Sequence, residues 1–435
     1  MRSGVPCQPC LQPAGGFSAG RRLQAATSGK ARALRALQIA ARLREAPRMR
    51  VAVLTPAVYF LLPDKGSTAM SLSRRELLTA SALLLAGPGA ALRAAGKEAA
   101  AGETPMVLCW NENPYGPSPA ARLAVSRSIA RGCRYPADAE IQALVEALAR
   151  HEDVGADCIV TGTGSGELLC ALGLLCGRDG GEIIAAAPTY AELPDYARLR
   201  GATLKFVPVD AALRHDLPAM HAAVSERTRA IYICNPNNPT GTALGASEVR
   251  AFVAALPERL ITIVDEAYMD FTVGADVASV ADLVATSHRV VVLRTFSKIH
   301  GMAGLRCGYA IARPDLAAAL AATRMSTPNI LAVHAARASL GDRVFLAECR
   351  RRIIASRTRI TTELARLGLR YAEPQGNFVF FDTGMPLARF TGLMRARNIL
   401  VGRLFAPYEN WCRITIGTEP EVSAFLEALR AITAS

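Results

Sequence analysis

No stretch of this chain is apolar for long enough to cross a bilayer: the run from Val51 to Leu62 is short and broken by Pro56, whereas a spanning helix needs about 20 apolar residues. Paired cysteine spacing is missing too. The cysteines number 11, an odd count, and most sit inside apolar segments, such as Cys158, Cys170, Cys176, Cys234 and Cys307; this argues against a disulfide framework and suits small buried hydrophobes. Cys7 and Cys10 have metal-ligand spacing, but no second pair completes a site, so no metal is expected. No internal repeat or low-complexity tract follows residue 102, and no helix-turn-helix pattern precedes it. A basic face is also lacking, despite a net charge of +13. Residues 1–100 hold 15 Lys and Arg against 4 Asp and Glu, while the other 335 residues hold 35 against 33. The charge therefore belongs to the N-terminal segment, and no nucleic-acid partner is expected of the folded part.

What is present starts with size. A chain of 435 residues, 51% of them hydrophobic, can bury a large core and is expected to divide into a large and a smaller domain. Residues 1–69 show no sustained period and receive no fold. Met70-Ser71-Leu72-Ser73-Arg74-Arg75-Glu76-Leu77-Leu78 then opens a paired-arginine stretch, an apolar region through Leu85 and a small-residue section to Ala101. This is the layout of an export signal, and Ser-Arg-Arg-x-Leu-Leu resembles a twin-arginine signal. The expectation is translation from Met70, a signal over residues 70–101, and a periplasmic protein that meets the membrane only in transit. An organelle transit peptide is the other reading of the leader, and without export the protein is cytoplasmic.

The rest of the chain is organised around Arg294-Thr295-Phe296-Ser297-Lys298-Ile299-His300-Gly301. The apolar run from Val290 to Leu293 reads as a buried strand, so Lys298 arrives at the rim of a sheet. Among apolar neighbours a lysine loses hydration of its charged form, and the neutral amine becomes a nucleophile toward carbonyls. Thirty-three positions upstream another apolar strand ends at Asp265, with Tyr268 three residues on. Further upstream lie Asn235-Pro236-Asn237-Asn238-Pro239-Thr240-Gly241 and Pro188-Thr189-Tyr190. Apolar runs alternate with helical stretches from Ile183 to Leu293, which predicts an α/β fold with a mainly parallel sheet between helices. Tyr190, Asn238, Asp265 and Lys298 all follow strand C-termini, where such sheets keep their chemistry. Gly162-Thr163-Gly164-Ser165-Gly166 turns a strand into a helix and can cradle a phosphate, or can serve packing alone. Taken singly, Asp265 could cap a turn and Tyr190 could be core.

Together these motifs resemble the class I/II aminotransferases of the fold-type I pyridoxal-phosphate family, most nearly its histidinol-phosphate branch. The likeness covers roughly residues 105 to 433 and implies a seven-stranded, mainly parallel sheet in a large domain at 139–330, a smaller α+β domain at 331–435, and an N-terminal arm at 102–138. It further implies pyridoxal 5'-phosphate as cofactor, with Lys298 binding it covalently and then moving the substrate proton. Asp265 would face the pyridine nitrogen, Tyr268 and Asn238 the phenolic oxygen, and Tyr190 the ring. Ser165, Gly166, Thr295, Ser297 and Arg306 would hold the phosphate, although many members of the branch carry an acid where this chain has Gly166. Tyr135 would reach the cofactor of a second subunit, implying a homodimer, while Tyr115, Arg403 and Arg413 would bind substrate. The expected reaction is amino transfer between an amino acid or amine and a 2-oxo acid such as 2-oxoglutarate. A decarboxylase or lyase on the same residues is the alternative, and a non-catalytic cofactor sensor a remoter one.

Overall fold

The computed structural model describes residues 104–286 and 288–434. The expectations placed on residues 1–69 and on the 70–101 signal lie outside the described residues. Eleven strands are described: β1 Met106–Leu108, β2 Ile159–Gly162, β3 Glu182–Ala187, β4 Thr203–Pro208, β5 Thr228–Cys234, β6 Ile261–Asp265, β7 Arg289–Thr295, β8 Gly308–Ala312, β9 Phe378–Asp382, β10 Ile399–Val401 and β11 Trp411–Thr415. Seven of them form one sheet in the order β2-β8-β7-β6-β5-β3-β4. All neighbours in it are parallel except those of β8, which runs against both β7 and β2.

The continuous apolar runs of the central strands are explained by cover on both faces. Alternate residues of a strand point to opposite sides, and here Val290 and Val292 enter one core with Ile231, Ile233 and Val264. Val291 and Leu293 enter the other with Tyr232 and Ile263. A third core gathers Phe378 and Phe381 of β9, Cys412 and Ile414 of β11, and the apolar faces of the helices Arg343–Arg366, Leu387–Arg395 and Glu419–Thr433. Tyr268 and Ile299 also belong to this core, so it abuts the strand ends that carry the chemistry.

Two expectations about the chain's segmentation need correction. The arm drawn to residue 138 contains a helix, Pro119–Ser128, opened by Ser118 Oγ accepting from the Ala121 N–H at 3.1 Å. Pro119 sits at its first position, where a missing N–H costs nothing. All but the first residue of the helix Ile330–Gly341 lies in the segment 331–435, yet it buries Ala332, Val333, Ala335 and Ala336 in the core of the large sheet. Small residues there allow close approach to the helices Pro119–Ser128 and Asp138–Glu152.

Candidate active site

Lys298 follows β7 by three residues, fixed between Phe296 and Ile299, which are fully or nearly fully buried. Its Nζ donates to the carbonyl of Asn111 at 3.0 Å and lies 3.4 Å from that of Trp110, so the N-terminal arm crosses directly over it. Gly301, at φ +65°, makes that crossing possible: a Cβ there would overlap the backbone of Gly116. Burial, then the charge of Arg413, pushes the Lys298 amine down from 10.5 to about 8.

Asp265 closes β6 and is 2% exposed. It accepts from the Ala267 N–H at 3.1 Å and the Tyr232 hydroxyl at 3.2 Å, but burial outweighs both and pushes its carboxyl up from 3.8 to about 6. Between these two groups and β11 runs a buried hydrogen-bonded chain. Arg413 Nη1 donates to Asn238 Oδ1 at 2.6 Å, Asn238 Nδ2 approaches the Tyr268 hydroxyl at 3.4 Å, and Asn111 Nδ2 donates to the same hydroxyl at 3.1 Å. Arg413 Nη2 donates to the Cys109 carbonyl at 2.7 Å, while its Nε has no partner among the described residues. Asn237 ties the Asn238 turn to the Tyr190 loop by donating to the Pro188 carbonyl at 3.0 Å and accepting from Thr189 Oγ1 at 2.8 Å.

The glycine turn after β2 lies against Arg306, since a Cβ on Gly164 would stand 2.6 Å from Arg306 Nη2. Ser165 and Gly166 open the helix Ser165–Cys176 beside it, where first-turn N–H groups have no intrahelical partner. Thr295 Oγ1 accepts from the Ser297 N–H at 3.1 Å, and both residues are 7% exposed. The acid absent from position 166 is replaced in space by Glu192, whose carboxylate occupies the place a Cβ on Gly166 would take. Tyr190 is half-buried beside the core under β3, its hydroxyl pushed up by burial and by Glu192.

These contacts fit pyridoxal phosphate. Lys298 and Asp265 are each pushed toward neutrality by burial, and the ligand would offer an aldehyde to one and a ring nitrogen to the other. The glycine turn, the helix start and the Arg306 guanidinium provide for its phosphate. The family model for aminotransferase class I and II matches residues 103–429. The chain belongs to the class I and II aminotransferases. This aminotransferase is 39% identical over 322 residues to the aromatic amino acid aminotransferase of Rhodococcus opacus (strain B4), covering 73% of the chain and 88% of that protein. It is 36% identical over 333 residues to the histidinol-phosphate aminotransferase of Moorella thermoacetica, covering 75% and 85%. The crystal structure of histidinol-phosphate aminotransferase from Sinorhizobium meliloti in complex with pyridoxal-5'-phosphate superposes with a TM-score of 0.72 at 29% identity, covering 84% of this chain and all of that one.

Not every residue singled out in the sequence joins the aminotransferase's central cluster. Tyr135 is 95% exposed. Arg403 is exposed, its guanidinium 5.3 Å from the Phe405 ring, and Arg413 approaches the same ring at 5.1 Å. Tyr115 packs beside the third core with Arg352 over its ring at 5.2 Å, and its buried hydroxyl has no hydrogen-bond partner among the described residues. Several participants escaped the sequence reading. Asn377, fully buried, donates to the carbonyls of Asn111 at 3.0 Å and Glu112 at 3.1 Å and so carries the arm. Glu167 accepts from the Thr163 N–H at 2.8 Å and from those of Met325 and Ser326 at 2.7 and 2.9 Å, bracing the glycine turn. Asn111 lies within the arm expected at 102–138, and only its own role was missed.

Proposed function

We propose that this aminotransferase moves an amino group between a donor with a planar ring, an aromatic amino acid or histidinol phosphate, and a 2-oxo acid such as 2-oxoglutarate. Its cofactor is pyridoxal phosphate, which when bound supplies an electron sink for the pair left as a bond to the donor's Cα breaks. The observation that carries the reading is Lys298, a half-buried amine pushed down to about 8 within reach of the arm and facing a buried carboxylate. Near neutral pH such an amine can both attack an aldehyde and later carry a proton from the donor's Cα. Asp265 would hold a proton on the ring nitrogen, and Tyr268 with Asn238 would donate toward the phenolic oxygen. Tyr190 would cover the ring. Ser165 and Gly166 by their N–H groups, Thr295 and Ser297 by their hydroxyls, and Arg306 by its fork would hold the phosphate.

For the substrate, Arg413 would bind a carboxylate through its unpartnered edge. Arg403 and Arg413 both border Phe405, which supports an acceptor with a second anionic group and a donor ring packed nearby. Names of the Rhodococcus and Moorella relatives support the two donor classes. The test is a donor panel added to the loaded protein, followed by its visible absorbance. A ring-bearing donor should shift the cofactor band and 2-oxoglutarate should restore it; silence toward every amino donor would reject the reading. Arg413→Lys should raise KM for both partners by about 10- to 100-fold, since a charge-assisted pair is lost. Arg403→Ala should raise it for 2-oxoglutarate alone.

The 95% exposure of Tyr135 supports its use across a homodimer. Light scattering should therefore give twice the chain mass, and a monomer with full activity would remove that role. Export to the periplasm is supported by the Arg74-Arg75 stretch. Fractionation should recover activity from the periplasm and lose it there when both arginines are replaced by lysine.

A further inference from the structure

The helix Glu192–Leu199 begins with an acid that none of the roles above uses. Glu192 Oε2 is buried and has no hydrogen-bond partner among the described residues. Its carboxylate fills the place a side chain at Gly166 would need. Its charge also opposes ionisation of the Tyr190 hydroxyl and adds to the burial that raises Asp265. A structural acid is ordinarily matched by a cation or a set of donors, because an open carboxylate oxygen away from water is costly. The groups that sense Glu192 are instead two phenols, Tyr190 and Tyr196, the Cys170 thiol and the Asp265 carboxylate. It stands two residues after Tyr190 and against the helix start bearing Gly166, and Asp265 at the end of β6 feels its charge.

We propose that Glu192 is a positioning residue of the cofactor site, accepting the Tyr190 hydroxyl so as to fix the plane of that ring, and excluding any side chain from position 166. The proposal rests on the reading that Tyr190 covers the cofactor ring. A phenol donating to a carboxylate makes a charge-assisted bond, stronger than a neutral one, and it holds an otherwise rotatable half-buried side chain. Removing the acid frees the Tyr190 ring. Adding a side chain at 166 displaces the carboxylate and frees the ring from the other side.

The test is titration of pyridoxal phosphate onto apoprotein, followed by intrinsic fluorescence, with no turnover involved. Glu192→Ala and Tyr190→Phe should each raise Kd by about 10-fold, and the double variant should show one such loss rather than the product of two. Glu192→Gln should stay within about twofold, because its amide oxygen still accepts the phenol's hydrogen bond. Gly166→Asp should weaken binding in the wild-type background and less so beside Glu192→Ala. Melting curves of each apoprotein are recorded first, and Glu192→Leu replaces the alanine variant if that one melts early. Unchanged Kd in Glu192→Ala, losses that multiply in the double variant, or a Gln variant as weak as the Ala one would each overturn the proposal. Tyr190→Ala separates the two levels. If it binds normally, the covering role of Tyr190 itself is wrong; if it binds weakly while Tyr190→Phe and Glu192→Ala bind normally, only the role of Glu192 is.

Discussion

Lys298→Ala should lower turnover by about 10⁴-fold, the upper end of what a positioned acid–base group supplies, while leaving the protein folded. The loss is chemical because nothing else among the described residues offers a free amine at this spot: Lys298 Nζ sits under the arm, 3.0 Å from the Asn111 carbonyl. The same amine predicts a pH dependence. Burial pushes it down from 10.5 to about 8, so the fraction able to attack an aldehyde grows tenfold per pH unit below about 8 and levels off above. Covalent capture of pyridoxal phosphate by the apoprotein, timed by stopped-flow absorbance, should follow that curve in the wild type and vanish in the alanine variant. A flat profile between pH 6 and 9, taken as the range of the experiment on either side of about 8, would mean the amine is not depressed. Stability moves the same way. The unfolded chain binds the lysine proton more tightly than the folded one, so the apoprotein gains stability as pH rises from about 8 toward 10.5. Lys298→Ala should abolish that slope and, at neutral pH, melt slightly higher than the wild type.

Much of this site is legible in the sequence for a local reason. A largely apolar strand announces its own burial, and polar residues at or just beyond its end, such as Asp265 and Lys298, emerge at the sheet edge. The pairing of Asp265 with Leu293 across β6 and β7 then brings the end of β6 within two residues of the end of β7. Tyr190 and Asn238 follow β3 and β5 by the same logic. What was not legible depends on contacts between distant residues. Asn377 reaches Asn111 across 266 positions and Arg413 reaches Asn238 across 175, and no local pattern marks an asparagine as the support of another segment. The helix Ile330–Gly341 was assigned with the C-terminal part because its sequence position suggested so, whereas its run of small buried residues suits the crowded face of the large sheet. Glu192 was invisible because its significance lies in a glycine 26 positions away, next to which it happens to fold.

Asp265→Asn should separate stability from activity. In the apoprotein the buried Asp265 carboxylate is pushed up from 3.8 to about 6, so the folded state holds its proton more tightly than the unfolded chain does. Stability conferred by that proton is complete below about 3.8 and is lost as pH rises through about 6. At neutral pH the wild-type apoprotein therefore carries a buried charge that Lys298 offsets only in part, at a cost of about 3 kcal/mol by the conversion of about 1.4 kcal/mol per pH unit. Asparagine keeps the shape and can still accept from the Ala267 N–H, which now bonds the carboxylate at 3.1 Å. The apoprotein of Asp265→Asn should accordingly melt higher than the wild type at pH 7 and equal to it near pH 3, about a unit below the unfolded-state value, where the wild-type acid is protonated in both states. Its turnover should fall on the order of 10³-fold, the scale of losing one preorganised electrostatic partner, because an amide cannot hold a proton on a ring nitrogen as a carboxylate does. Calorimetry of the apoproteins across this pH range, set beside kcat for the loaded ones, checks both halves. A variant less stable than wild type at pH 7 would show that Asp265 is already paired within the protein, and would leave no reason for its charge to await a cofactor.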